Sequence, residues 1–146
     1  MNSVNDIKSY DIAGKGFDKK IEQVVRVCHM NYLTYIDRLI HKKYGFNIYV
    51  SLKSSWRPKW WERMKGRSGR SAHAYGFLGA TDITCDDFKN NWQILLKYLI
   101  EHTDYTRLAV YHKSGFIHGD YRNEYDDAFV YKIVNGNWIR DYKIER

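Results

Sequence analysis

From Thr106 to Ile144 the chain is written almost entirely in strand chemistry, and this limits the folds open to it more than any other feature. Four short runs, "TRLAVYH", "GFIHGDYR", "AFVYKIV" and "WIRDYKI", are rich in β-branched and aromatic residues. Ser114-Gly115 separates the first pair and Asn135-Gly136 the last. Asn-Gly is a strong hairpin signal, because a type I′ turn needs positive φ at both central residues. Strands that present one apolar face need something to cover it. Two upstream segments can do so. Residues 17–45 place Phe17, Ile21, Val24, Val25, Cys28, Ile36, Leu39 and Ile40 at helical spacing and end at Gly45. Residues 86–103 do the same with Phe88, Trp92, Leu95, Leu96 and Leu99, and Asp86 or Asp87 is placed to cap that helix. "NIYVSLK" and "ATDIT" add two strands. Helix, strand, strand, helix and then three or four antiparallel strands predict an α+β fold. It is expected to be a single domain, with helices packed on a small, mainly antiparallel sheet and a C-terminal β-hairpin. Residues 1–16 read as a loosely held N-terminal arm and residues 17–146 as the domain, a length that can bury a real core.

The formal charge is +7, from 24 Lys and Arg against 17 Asp and Glu. A basic surface attracts nucleic acid, anionic lipid or anionic cell-wall polymer, and charge alone does not choose among them. Thirteen Tyr and five Trp bring the aromatic share to 16%, enough to line a groove as well as a core. The charge concentrates in "RPKWWERMKGRSGR". There Trp56, Trp60 and Trp61 interleave with Arg57, Lys59, Arg63, Lys65, Arg67 and Arg70. Such a loop can clamp a glycan or its peptide stem, stack on single-stranded nucleic acid, or simply be solvated with its tryptophans packed inward. Cys28 and Cys85 lie far apart without a paired framework, so free thiols are expected. "MNSVNDIKSYDIAG" lacks a basic region followed by an apolar run, and no apolar run is long enough for a bilayer. Synthesis in the cytoplasm, no membrane span and a monomer are the expectations.

The chemistry concentrates in two places. "SGRSAHAYGFLGATDIT", residues 68–84, holds His73 before a strand and Asp82 within it. His118 and Asp120 share one face of a later strand. If the two strands are neighbours, His73, Asp82 and His118 converge, and such a set suits a zinc site with one position left open. Each residue also has a plainer reading, as a loop histidine, a turn-capping aspartate or a hydrogen-bonded strand histidine. His29 and His41, on the first helix, read as surface or boundary residues.

These stretches resemble the zinc D-Ala-D-Ala carboxypeptidase family, which is grouped with lysostaphin-type endopeptidases and the hedgehog signalling domain. The family pattern Ser-x-His-x-x-Gly followed by Ala-x-Asp is similar to Ser71, His73, Gly76, Ala80 and Asp82. The aromatic-Val/Ile-His-x-Asp-x-Arg pattern of one branch is similar to Phe116, Ile117, His118, Asp120 and Arg122. "SSWR", ending in Arg57, stands where the family has Ser-Gly-Tyr-Arg. The resemblance spans roughly residues 20–122. It implies a hedgehog/DD-peptidase-like fold, zinc held by His73, Asp82 and His118, and hydrolysis of D-amino-acid peptide stems or cross-links of peptidoglycan. It also implies substrate contacts from Arg57, Ser71 and Trp56. A phage-type lysis enzyme, made in the cytoplasm and released to the cell wall, suits the small basic chain.

The chain departs from the pattern twice. His73 and Asp82 are nine positions apart, two more than the family's usual interval, and Gly76 and Gly79 suggest a bulge there. Many members carry an acid three positions before the last histidine, where this chain has Gly115. Asp120 is then the candidate general base, its other reading being to orient His118 or pair with Arg122. His112 reads either as an oxyanion stabiliser or as an exposed turn residue. A metal-retaining but inactive binding module and a nucleic-acid-binding protein stand as the alternatives to the peptidase.

Overall fold

The computed structural model describes residues 1–7, 19–51, 55, 66, 72–73, 78–122 and 127–146. Helices α1 (Lys19–Val25) and α2 (Asn31–Tyr44) are joined by a π-helical turn, Arg26–Met30. Leu33, Ile36, Asp37 and Ile40 form the buried stripe of α2. The helix stops at Gly45, whose φ of 80° is the left-handed C-terminal cap glycine permits at little cost. A π turn adds a residue to the helical ladder and so rotates the buried face. Val25, His29 and Met30 point inward there, while Val27 is exposed. His29, expected as a surface or boundary residue, is fully buried, four residues after Val25 and four before Leu33 on the same stripe, whereas His41 is exposed.

Helix α3 (Phe88–His102) buries Leu95, Leu96, Tyr98 and Leu99. Asp87 is its N-cap residue, but the carboxylate takes the side-chain amide of Asn90 rather than a backbone N–H. Asp86 instead reaches across to β2, accepting from the Asn47 N–H at 2.9 Å and the Tyr49 hydroxyl at 2.8 Å. Asp37, buried in α2, accepts the Ile48 N–H at 2.7 Å and the Asn5 side-chain amide. These carboxylates fasten β2 to the helical layer. Among the described residues no helix is long and apolar enough to cross a membrane.

The strands are β1 (Asn2–Ser3), β2 (Ile48–Val50), β3 (Ala80–Cys85), β4 (Arg107–Tyr111), β5 (Phe116–Asp120), β6 (Phe129–Val134) and β7 (Asn137–Lys143). They form a seven-stranded sheet in the order β1-β2-β3-β5-β4-β6-β7. The chain is thus α+β, but the sheet is mixed: β4 and β6 pair parallel and the other neighbours antiparallel. The sheet is mainly antiparallel, as expected, but the last third, expected as antiparallel strands, includes the parallel pair. β5 lies between β3 and β4, so the chain must cross to the other edge of β4, where it runs parallel to it. The hairpin β6–β7 turns at Asn135 (φ 50°) and Gly136 (φ 78°), as its sequence predicts. The start of the expected arm belongs to the sheet: Asn2 and Ser3 pair with β2, and Val4 is buried. The rest of that arm, from residue 8, lies outside the described residues.

One face of the sheet, with Ile83, Ile117, Leu108, Val110 and Val130, packs on the helices and makes the core. Gly119 of β5 also belongs to this face. A methyl group there would stand 2.9 Å from two ring carbons of Tyr105, which is fully buried. Gly119→Ala is expected to cost about 1–3 kcal/mol by overpacking. Urea unfolding would show it as a lower midpoint at unchanged slope. Cys28 and Cys85 are free thiols, and burial pushes Cys85 up to about 12, which leaves it unreactive.

Candidate metal centre

Alternation puts Asp82, His118, Asp120, Arg107 and Tyr111 on the face of the sheet away from the helices. Register does the rest. Asp82 on β3 is paired directly with His118 on β5, and Arg107 on β4 with Asp120. His73 comes from the segment before β3. Its Nε2 lies 3.5 Å from Asp82 Oδ1, and His118 Nδ1 lies 3.4 Å from the same oxygen. One ligand atom from each of the three residues falls within 4.8 Å of the others.

The arrangement fits a metal ion. Two ligands at zinc distances and a tetrahedral angle stand about 3.3–3.4 Å apart, close to the spacing between Asp82 Oδ1 and each imidazole. The far side of each ring is also prepared. His73 Nδ1 donates to the Ser55 carbonyl at 2.9 Å, and His118 Nε2 to Asp120 Oδ2 at 2.7 Å. A carbonyl and a carboxylate only accept, so the protons sit on the outer nitrogens and the inner ones present lone pairs when the rings are neutral. Ser55 serves two ligands at once, because its hydroxyl oxygen also accepts the Asp82 N–H at 3.0 Å. His73, Asp82 and His118 therefore form a group that can hold a metal ion.

Asp120 is fully buried. Its carboxylate takes His118, both Nε and Nη2 of Arg107 (2.9 and 2.6 Å) and the Arg122 N–H (2.9 Å). Burial raises its pKa, but hydrogen bonds from His118 and Arg107 outweigh that and hold it down at about 2. It stands on the His118 nitrogen opposite the one that faces Asp82. Burial pulls the His118 pKa down, yet bonds to Asp120 and Asp82 leave it raised above 6.5. A metal must therefore displace a proton from His118. Zinc affinity is expected to weaken about tenfold per pH unit as pH falls below that raised value, one proton being exchanged. Chelator competition between about pH 8 and pH 5 checks this, and a flat profile would count against His118 as a ligand.

The two histidines open onto a cavity of about 460 Å³ lined by Ala72, His73, Arg107, Tyr111, His118, Arg122 and Trp138. Trp138 comes from β7. Its ring meets that of His118 edge-on at 5.0 Å and lies 4.6 Å from the Arg107 guanidinium. Its Nε1 donates to the Tyr111 hydroxyl at 2.7 Å. Arg107, Tyr111, Trp138 and the bracketing role of Ser55 were not found in the sequence. The available signal was Arg107, a charge inside the apolar run "RLAVY". Trp138 carried none, since its position depends on β6 crossing to the far edge of β4. His112 is exposed against Trp92 and lines a neighbouring cavity instead. Arg57, Ser71 and Trp56, and with them the basic aromatic loop, lie outside the described residues. No family model, curated protein or solved structure matches this chain.

Proposed function

We propose that the chain is a zinc-dependent peptidase acting on D-amino-acid peptide stems or cross-links of bacterial peptidoglycan. The observation that carries this reading is the convergence of His73, Asp82 and His118 on one point beside the cavity that both histidines line, with the outer nitrogen of each imidazole already engaged. Two histidines and a carboxylate leave an open position, the mark of a catalytic rather than a structural site. Zinc held there supplies Lewis acidity, polarising a carbonyl and making water a stronger acid. The motifs that resemble the D-Ala-D-Ala carboxypeptidases give the substrate class.

The chain's own residues take defined parts. Asp120 acts through His118, fixing its tautomer and ring plane, the orienting role that its sequence position offered beside that of general base. Arg107 secures Asp120 by a two-point bond, which positions better than a single charge. Arg122, on the cavity wall, adds positive charge toward the carboxylates of a peptide stem. Tyr111 and Trp138 form an aromatic wall against which a stem can lie.

The test is digestion of purified peptidoglycan, with products read by mass spectrometry. Loss of terminal D-Ala or opening of cross-links, stopped by chelator and restored by zinc, is expected. Products identical to the untreated control would sink the peptidase. A second reading, a binding module that keeps metal without hydrolysis, draws on one observation: none of the described residues that line the cavity is an acid. It predicts zinc-dependent retention on peptidoglycan without new products.

A further inference from the structure

His29 lies on the helix side of the sheet, fully buried beneath the two strands that carry Asp82 and His118. Both its ring nitrogens are used. Nε2 donates to the Leu78 carbonyl at 2.7 Å. In the neutral ring Nδ1 is then an acceptor with one lone pair, and the hydroxyls of Tyr105 at 2.8 Å and Thr81 at 2.9 Å share it. Burial pushes its pKa down to about 4, so this pattern persists at neutral pH.

Those partners matter because of where they sit. Leu78 and Thr81 bracket the residues through which the chain leaves the His73 segment and enters β3. Leu78 (φ 64°) and Gly79 (φ 74°) are both left-handed, which costs a leucine about 1–2 kcal/mol and needs an outside hold. This turn lies within the stretch where the His73 to Asp82 interval is long. Tyr105, the third partner, lies under Gly119, the residue after His118.

We propose that His29 is a positioning residue for the metal centre. It staples the turn from Leu78 to Thr81 and props Tyr105 beneath β5, so that His73, Asp82 and His118 converge. The role rests on the metal reading of those three residues.

The test compares zinc affinity, by competition with a chromophoric chelator, with the melting temperature of the metal-free protein. His29→Leu is expected to weaken zinc about 10–100-fold, the usual effect of losing a group that supports the ligands. His29→Gln, whose amide can replace the Nε2 donor, is expected to recover most of that. Thr81→Val, which removes one hydroxyl, is expected to weaken zinc several-fold. Leu33→Ala empties a buried site in α2 and is expected to lower the melting temperature without changing affinity. Wild-type affinity in His29→Leu, or in Thr81→Val if His29→Leu does not fold, overturns the role and leaves the metal centre standing. Equal loss in Leu33→Ala overturns it too. A wild-type protein that binds no zinc removes the metal centre and the role together.

Discussion

Asp82→Ala is expected to lower zinc affinity by about two to four powers of ten while the metal-free protein stays folded. Structural zinc sites in finger peptides bind with roughly 10–16 kcal/mol, and on that scale one ligand of three accounts for roughly 3–5 kcal/mol. Asp82 is the only anionic ligand and faces both imidazoles at 3.5 and 3.4 Å. Its loss leaves two neutral donors, a poor match for a divalent cation. Asp82→Asn separates charge from shape, since the amide keeps the volume and supplies a weaker donor. His73→Ala and His118→Ala should fall in the same range. Isothermal titration with zinc measures all four. An Asp82→Ala protein that binds zinc as the wild type does would place the metal elsewhere.

Asp120→Ala is expected to be the most destabilising of the substitutions named here, by about 3–5 kcal/mol, because it leaves the Arg107 guanidinium buried beside an empty site. It also releases His118 Nε2, so zinc affinity should drop about 10–100-fold in what remains folded. The pH dependence tests the cause. Asp120 is held at about 2, below the unfolded carboxylate near 3.9, so its stabilisation is fully present above about pH 4. That contribution is lost as pH falls through the folded value. Below about pH 4, beneath the range in which His118 takes up its proton, the stability gap between the wild type and Asp120→Asn should therefore narrow steadily toward about pH 2. Urea unfolding across that range measures it, and a gap that widens on acidification would contradict the assignment.

Much of this was legible in local chemistry. The first helix ends at Gly45 because only a residue free at positive φ closes it cheaply, and that reads from one letter. Asn135-Gly136 turns the last hairpin for the same reason. Asp82 and His118 could be singled out by strand position and His73 by its flanking residues, despite an interval to Asp82 two positions longer than the motif's, and β3 and β5 are indeed neighbours. What stayed hidden depends on long-range pairing. The parallel match of β4 with β6 is a choice of edge, and it decides that Trp138 reaches His118. His29 reads as a surface or boundary residue from its residue type, although it falls four residues after Val25 and four before Leu33, on the stripe that the structure buries. Asp120 could be placed beside His118 from strand alternation, but its contact with Arg107, on another strand and in register with it, could not be read.

X-ray absorption on the zinc-loaded protein tests the central claim most directly. The account predicts one zinc per chain, a nitrogen and oxygen shell at about 2.0–2.1 Å and outer scattering from two imidazoles. Sulfur scattering at about 2.3 Å, a shell without imidazole, or no bound zinc would contradict it.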